Sequence, residues 1–425
     1  MANVFSPQGG LASSGFGRPI GNASVVLEAR QKKLASFELP KTKGVVYWPV
    51  GTGDSTTIVL QPGKMVMQID LRHLAKSKEE GNPEWPIIDY LVNILPKKAN
   101  GRPYLALFVL THPDRDHVQG FAELLRRVDI GELWHTPRIF RDQADEDALC
   151  DDAKAFRKEA HRRRKAIADD PDNIKSGDRL RVIGHEDILN EKDYKEIPDS
   201  CKSRPADKVE VVDGVDLHGH FQAFIHAPFK DDQAKNRNNT SLSLNVVLFE
   251  GQKYAQFMFF GDREYPTIKQ IYEVTEARGN QAYLYCNVML CSHHCSKGIM
   301  FWQDEGDESP CFKQDIMDYF KKYLQSGYIV SSSLCEFTDG DGDNPPHKKA
   351  RKEYEKIVKA GQFLCTHEQP STESPEPIVF TIDANGFAFS DKRKRSVGPA
   401  ALGTAVAKTQ TGLPPKTQTT FGGCQ

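Results

Sequence analysis

The sequence predicts an α/β sandwich over roughly residues 41–390, and three observations carry that prediction. Short apolar, β-branched runs come in two batches, one over 44–110 and one after about 210, with helically spaced segments among them. A densely charged stretch over about 141–210 separates the batches and reads as an insertion. Several apolar runs lead straight into histidines and carboxylates, which places reactive groups at strand ends. With 39% hydrophobic and 27% charged residues, the composition is that of an ordinary globular chain with enough apolar side chains for a large core.

Taken in order, residues 1–40 form an extension, Gly- and Ser-rich at first, with a short helix expected near Ala29–Ala35. GVVYWPV, TTIVLQ and MVMQIDL are brief, β-branched and broken by Gly or Pro, so each is expected to be a strand. IIDYLVNIL has helical spacing, YLALFVL reads as a buried strand, and GFAELLRRV restarts as a helix. The segment from Arg141 to Asp170 is so densely charged that a solvated surface helix is expected. Its run Arg162, Arg163, Arg164 and Lys165 offers the alternative of a nucleic-acid contact. FQAFIHAP, TSLSLNVVLFEG, KYAQFMFFGD and AYLYCNVMLCSHH return to strand character, followed by a helix in CFKQDIMDYFKKYLQ and a strand in GYIVSSS. From about Asp391 the chain is polar, rich in Thr, Gly and Lys, and without apolar periodicity, so a disordered tail is expected.

Composition also excludes some roles. A net charge of −2 gives no global attraction to polyanions, so any nucleic acid would need a local basic patch. No apolar run of 18 or more occurs, and the N-terminus lacks a basic region followed by an apolar block, so neither a membrane span nor a secretion signal is expected. Nine scattered cysteines without a CxxC pair fit thiols in a reducing cytoplasm better than a disulfide framework.

The chemistry concentrates in ALFVLTHPDRDHVQGF, where a buried strand delivers His112, Asp114, Asp116 and His117 within six positions. Helix-capping and turn duty is the plain alternative for such residues. Two further apolar strands, however, end on Asp262 (FMFFGD) and on His293 and His294 (VMLCSHH). Hydrolytic metal centres need several such ligands converging, with a position left open for water.

These residues resemble the metallo-β-lactamase superfamily, whose H-x-H-x-D-H loop is followed by a bridging Asp and a final His. THPDRDHVQG resembles the form found in the competence protein ComEC, with Asp114 in place of the second His. VGTGDSTTIVL is similar to the Gly-x-Gly-Asp-Ser hairpin of that subgroup, QID puts Asp70 at the end of the next strand, and Asn238, Asn239 and Ser241 match its Asn-Asn-x-Ser strand. SHHCSK resembles its Pro-His-His-Gly-Ser, with Ser292 and Cys295 replacing Pro and Gly, and Pro346 with His347 resembles its Pro-His segment. The resemblance covers about 44–390 and implies a four-layer αββα sandwich with two divalent metal ions, zinc or manganese. His112 and Asp114 would hold the first ion, Asp116, His294 and His117 the second, and Asp262 would bridge them. His293 is the alternative to its neighbour. Asp116 could move a proton, and Ser241, Ser296, Lys297 and His347 lie in motifs expected at the site.

Other residues fit less directly. The superfamily's middle His has no clear counterpart: His226 lies in the right region but reads as a hydrogen-bonded core or loop residue, and His218 and His220 have weaker claims. CSHHC could form a small structural zinc site, and Cys295 could contact a metal or fill space. Asp54 either supports the loop or touches the site, and Asp70 reads as orienting a ligand His. The DGDGDN run lacks a terminal Glu and reads as a turn. His73, His135, His161, His185 and His367 read as surface residues. The expected activity is a metal-dependent phosphodiesterase or nuclease acting on nucleic acid or another phosphodiester. A small-molecule ester, lactone or cyclic-nucleotide hydrolase, or an inert partner in an assembly, are the alternatives.

Overall fold

The computed structural model describes residues 37–79, 81–141, 149–191, 194–230, 238–324, 327–340 and 342–391. The helix expected near Ala29–Ala35 and the tail after Asp391 lie outside them. Among the described residues, one sheet contains β1 (Lys43–Tyr47), β2 (Thr56–Gln61), β3 (Met65–Ile69), β4 (Tyr104–Val109), β5 (Asp129–His135), β6 (Arg179–Ile183) and β7 (Lys202–Ser203). The chain then builds β8 (Lys208–Val209), a hairpin of β9 (Val211–Val212) and β10 (Val215–Asp216), and β11 (Phe221–Ala227), β12 (Ser243–Glu250), β13 (Lys253–Phe259) and β14 (Val288–Leu290). A second hairpin, β15 (Phe301–Trp302) with β16 (Cys311–Phe312), precedes β17 (Tyr328–Ser331) and β18 (Phe363–Cys365). β19 (Ile378–Asp383) and β20 (Gly386–Phe389) return to the first sheet.

The sheet orders are β20-β19-β1-β2-β3-β4-β5-β6-β7 and β18-β17-β14-β13-β12-β11-β8. Each sheet is antiparallel on one side and parallel on the other. The run β3–β4–β5–β6–β7 is parallel in the first, and β13–β14–β17–β18 in the second. The chain crosses between sheets at both edges, from β7 to β8 and from β18 to β19.

The sheets face each other across one apolar layer in which Val45, Ile58, Met67 and Leu107 of the first meet Leu244, Val246, Phe257 and Val288 of the second. Helices cover both outer faces. On the first, Phe108 of β4 packs on Phe121 of α1 (Phe121–Arg127), whose ring lies 4.9 Å from that of Phe156 in α2 (Asp151–Asp169). On the second, Met258, Met289 and Ile329 pack against Ile268 and Ile271 of α3 (Tyr265–Ala277), Phe320 of α4 (Gln314–Leu324) and Tyr354 of α5 (Lys348–Ile357). Four layers, αββα, result. A strand covered on both faces loses its alternation, which is why β4 reads YLALFV and is buried along almost its whole length.

Three expectations change. The 141–210 segment is part of the sandwich, supplying β6, β7 and a packed helix, because its sparse apolar residues fall on one stripe. In α2, Ala153, Phe156, Ala160, Arg163 and Ile167 are buried. Arg163 is 1% exposed and donates to Ile130 O (2.9 Å), Gly131 O (3.0 Å), Arg179 O (3.0 Å) and Glu159 (2.8 Å). Arg162 pairs with Glu159 and Asp178. The AYLYCN half of the expected strand is a turn around Tyr283, whose ring stacks on Phe224 at 4.2 Å, and only Val288–Leu290 pairs as strand. His73, His135 and His367 are buried: His135 closes β5, and His73 and His367 lie in the segments after β3 and β18. No helix among the described residues is long and apolar enough to cross a membrane.

His226 on β11 is also buried, its ring nitrogens 3.2 Å from Thr275 Oγ1 and 3.1 Å from Tyr283 O, and burial pushes its pKa down to about 3. Burial likewise takes His135 down to about 4. Both imidazoles are therefore neutral in the folded chain while the unfolded chain takes up protons below about 6.5. Stability is full above pH 6.5 and falls toward pH 4. At pH 5 each should cost roughly 2 kcal/mol, read from denaturant melts, and His226→Gln should flatten the slope. Arg163→Met should destabilise the fold by roughly 3–5 kcal/mol, because it strips donors from buried carbonyls. Lys165→Gln, on the exposed side of α2, should change the same melts by less than about 0.5 kcal/mol.

Candidate metal centre

The parallel strands of both sheets end on one side, and the loops after them meet there. In open α/β sheets this carboxyl edge is where ligands bind. After β3, Asp70 adopts φ 53 and its N–H donates to Val109 O at 2.9 Å, turning its carboxylate under the loop after β4. That carboxylate accepts from Thr111 N (2.8 Å), Thr111 Oγ1 (2.7 Å) and His117 Nδ1 (2.8 Å). Burial pushes Asp70 up despite the pull of His117. With Nδ1 committed to Asp70, His117 presents Nε2 to Asp262 Oδ1 at 3.1 Å. His112 Nδ1 lies 3.1 Å from Thr111 Oγ1, and its Nε2 faces Asp114 Oδ2 and Asp262 Oδ2, each at 3.8 Å.

From the second sheet, β13 runs into Gly261 and Asp262. Asp262 N donates to Ser241 Oγ (3.2 Å), and a Cβ on Gly261, at φ 62, would stand 2.6 Å from Ser241 Cβ. After β14, Ser292 Oγ donates to Gly261 O (2.8 Å) and Arg263 O (2.6 Å), tying the two loops together. His293, His294 and Cys295 then take φ of 47, 52 and 71, three consecutive left-handed residues without a glycine. Each costs about 1–2 kcal/mol relative to ordinary backbone. Cys295, which stands where the resembled motif has Gly, packs in the core with Cys291 beneath this turn.

The turn brings His294 Nδ1 to 3.3 Å from Asp54 Oδ1, and Nε2 to 3.1 Å from Asp116 Oδ2 and 3.6 Å from Asp262 Oδ2. His293 Nε2 is 3.8 Å from Asp262 Oδ2. Burial works against charge on His294, but Asp262 and Asp54 raise its pKa to about 10. His117 is likewise raised, against burial, by Asp262, Asp70 and Asp116. Asp262 is opposed by burial and held well below the usual carboxylate range by His117, His294 and His293. Asp116 is lowered too, by His117 and by its bond with His294, again against burial.

Donor atoms of Asp54, His117, Asp262 and His294 lie within 4.8 Å of one another, all four residues buried. Asp54 Oδ1, His112 Nε2, His117 Nε2, Asp262 Oδ1 and His294 Nδ1 are buried and complete no hydrogen bond. Such orphaned groups cost about 1–3 kcal/mol each unless something satisfies them. Ligand atoms about 2.1 Å from a common tetrahedral ion lie roughly 3.4 Å apart. His117 Nε2 lies 3.1 Å from Asp262 Oδ1 and His294 Nε2 3.6 Å from Asp262 Oδ2, while the 3.3 Å contact of Asp54 Oδ1 is with the other ring nitrogen of His294. The donor set therefore fits a divalent cation, and His112, with Asp114 beside it, also faces Asp262 Oδ2.

His112, Asp114, Asp116, His117, Asp262, His293 and His294 thus converge. The other candidates have different engagements. His347 Nδ1 accepts from Lys297 N (3.1 Å), its Nε2 faces Asp343 O (3.1 Å), and its N–H donates to Cys295 O (3.1 Å), so it braces the His294 turn. Lys297 Nζ reaches Gly340 O at 3.4 Å. Ser296 Oγ accepts from Gly298 N (3.2 Å), and Asn239 Oδ1 accepts from Glu264 N (3.4 Å). Asp54 enters the buried quartet, and its signal in the sequence was the Gly-x-Gly-Asp-Ser turn.

No family model matches the chain, and no curated protein matches it. Solved structures similar to it include the metallo-β-lactamase GOB-18 from Elizabethkingia meningoseptica, at 17% identity over 68% of this chain and 91% of that one, with a TM-score of 0.29. The class B3 di-zinc metallo-β-lactamase LRA-12 from an Alaskan soil metagenome is similar at 14% identity over 75% of this chain and 93% of that one, also with a TM-score of 0.29.

Asp70→Asn would keep the shape but weaken the acceptor that fixes the His117 ring. Divalent-ion affinity should fall about 10–100-fold in titration calorimetry, with the fold retained by circular dichroism.

Proposed function

We propose that the chain is a metal-dependent hydrolase acting on phosphodiesters, with two divalent ions, manganese or zinc, that His112, Asp114, Asp116, His117, Asp262 and His294 would hold. The observation that carries this reading is the buried convergence of Asp54, His117, Asp262 and His294 with unsatisfied donor atoms. Bound there, divalent ions would supply Lewis acidity toward a phosphoryl oxygen and acidify a water molecule. The chain's own groups do the rest. Asp262, anionic and buried, fixes the spacing of the imidazoles on both sides. Asp116, with its side chain 38% exposed, is ionised at neutral pH and sits at the rim, where its carboxylate can take a proton from the attacking water. Arg115, exposed between Asp114 and Asp116, adds a cationic residue to the loop that carries them.

The resemblance to ComEC-like domains supports a nucleic-acid polymer as substrate. The fate of α2 favours a second reading: Arg163 is buried and Arg162 is paired, so two of the cations expected to track a polymer are already used by the fold. A small phosphodiester such as a cyclic nucleotide needs no such track.

Asp262→Asn should abolish turnover of bis(p-nitrophenyl) phosphate and of single-stranded DNA, duplex DNA and RNA alike, while leaving the chain folded. Chelation should remove activity, and Mn²⁺ should restore at least as much as Zn²⁺, given the oxygen-rich ligand set. Full activity after exhaustive chelation would sink the proposal. Cleavage of only the small ester or a cyclic nucleotide would select the second reading.

A further inference from the structure

We infer that Asp54 is itself a metal ligand, standing in for the middle histidine that the chain lacks, and that the turn from Gly51 to Ser55 is built to present it. The inference rests on the reading above that the cluster holds divalent ions. His226, the strongest of the candidates for that histidine, is committed to Thr275 and Tyr283 in the core, while His218 and His220 are exposed and face Glu210 and Lys43. Asp54, by contrast, is 4% exposed, its Oδ1 completes no hydrogen bond, and that oxygen lies 3.3 Å from His294 Nδ1 inside the buried quartet.

The support of the turn argues the same way. An aspartate that merely shapes a turn accepts a nearby backbone N–H with its own carboxylate. Here the backbone is held by other groups, and Oδ1 faces the His294 ring at 3.3 Å rather than a backbone N–H of its own turn. Asp54 N donates to Asp116 O (3.1 Å), Gly53 N donates to Ser332 O (3.4 Å), and Ser332 Oγ donates to Gly53 O (2.6 Å). Gly51 N donates to His367 Nε2 (2.8 Å), and Arg72 donates to Val50 O and lies across both glycines, where any Cβ would collide with it. A Cβ on Gly53 would also stand 2.8 Å from Asp116 O. Contacts from four other loops, those after β3, β4, β17 and β18, thus immobilise the turn while its carboxylate faces the two imidazoles. Two imidazoles and two carboxylates make a harder donor set than three histidines with one carboxylate, which shifts preference toward Mn²⁺.

The test is metal binding by the full chain, stripped with chelator and titrated with Mn²⁺, Zn²⁺ and Co²⁺. Asp54→Asn should bind one ion fewer by elemental analysis or raise the Mn²⁺ Kd more than about 100-fold, beyond what loss of a supporting residue causes. Its Co²⁺ visible spectrum should also change. Ser332→Ala, which loosens the turn but keeps the carboxylate, should weaken binding without altering the Co²⁺ spectrum. Where Asp54→Asn does not fold, Asp54→Glu replaces it: displaced carboxylate oxygens change the spectrum if they are ligands and leave it unchanged if they are not. Wild-type stoichiometry with a Kd within about threefold, or weaker binding with an unchanged spectrum, overturns the assignment. If the wild type itself binds no divalent ion, the hydrolase reading fails first. If it binds and Asp54→Asn matches it, only Asp54 is removed.

Discussion

Asp262 is a carboxylate 2% exposed, and burial alone would drive it toward its neutral form. It stays an anion because His117, His294 and His293 surround it, the first at 3.1 Å. Charge buried this deeply is tolerated only when it is matched, and here the matching groups come from two other strand ends, His117 after β4 and His293 with His294 after β14. The position of β4 against β3, the facing of the two sheets, and the joining of the loops after β13 and β14 through Ser292 all meet in that one electrostatic requirement. Asp70 extends it outward. By accepting from Thr111 twice and from His117, it converts the register of β3 against β4 into the orientation of a ring.

The parts of the centre legible in the sequence are those in which a long apolar strand stops abruptly at a polar residue. His112 to His117, Asp262, His293 and His294 all have that signature, because a strand buried on both faces leaves its chemistry no place but its end. Asp54 gives no such signal, since its role depends on how Arg72, His367 and Ser332 hold a glycine-rich turn across long sequence separations. The α2 helix was obscured for a related reason. A buried Arg163 counts as surface charge in any composition, although here it binds backbone carbonyls as a core residue. The α3 helix shows the limit of local pattern. Its buried residues Ile268, Ile271, Tyr272 and Thr275 have helical spacing, but β-branched residues and Pro266 blur it, and the proline is harmless only because it falls in the first turn.

The left-handed run at His293, His294 and Cys295 has a meaning that composition hides. Non-glycine residues held there store backbone energy, which persists only where the surroundings over-determine the geometry. Ser292 anchors the run from one side and His347, through Cys295 O, from the other. The conformation aims two successive imidazoles toward Asp262, which neither an extended strand nor a regular helix does for adjacent residues.

The crossings from β7 to β8 and from β18 to β19 stitch the two sheets together along both flanks. A sandwich joined on one flank could part like a book, admitting a ligand broadside between its sheets. This one is joined on both flanks, and Asp262 lies at the strand ends, at the mouth formed by the loops after β1, β4, β13 and β14. Selectivity is then a property of the mouth and stability a property of the stitched body. The two can diverge independently, so that relatives with unlike rims could share this interior and act on molecules that have little in common.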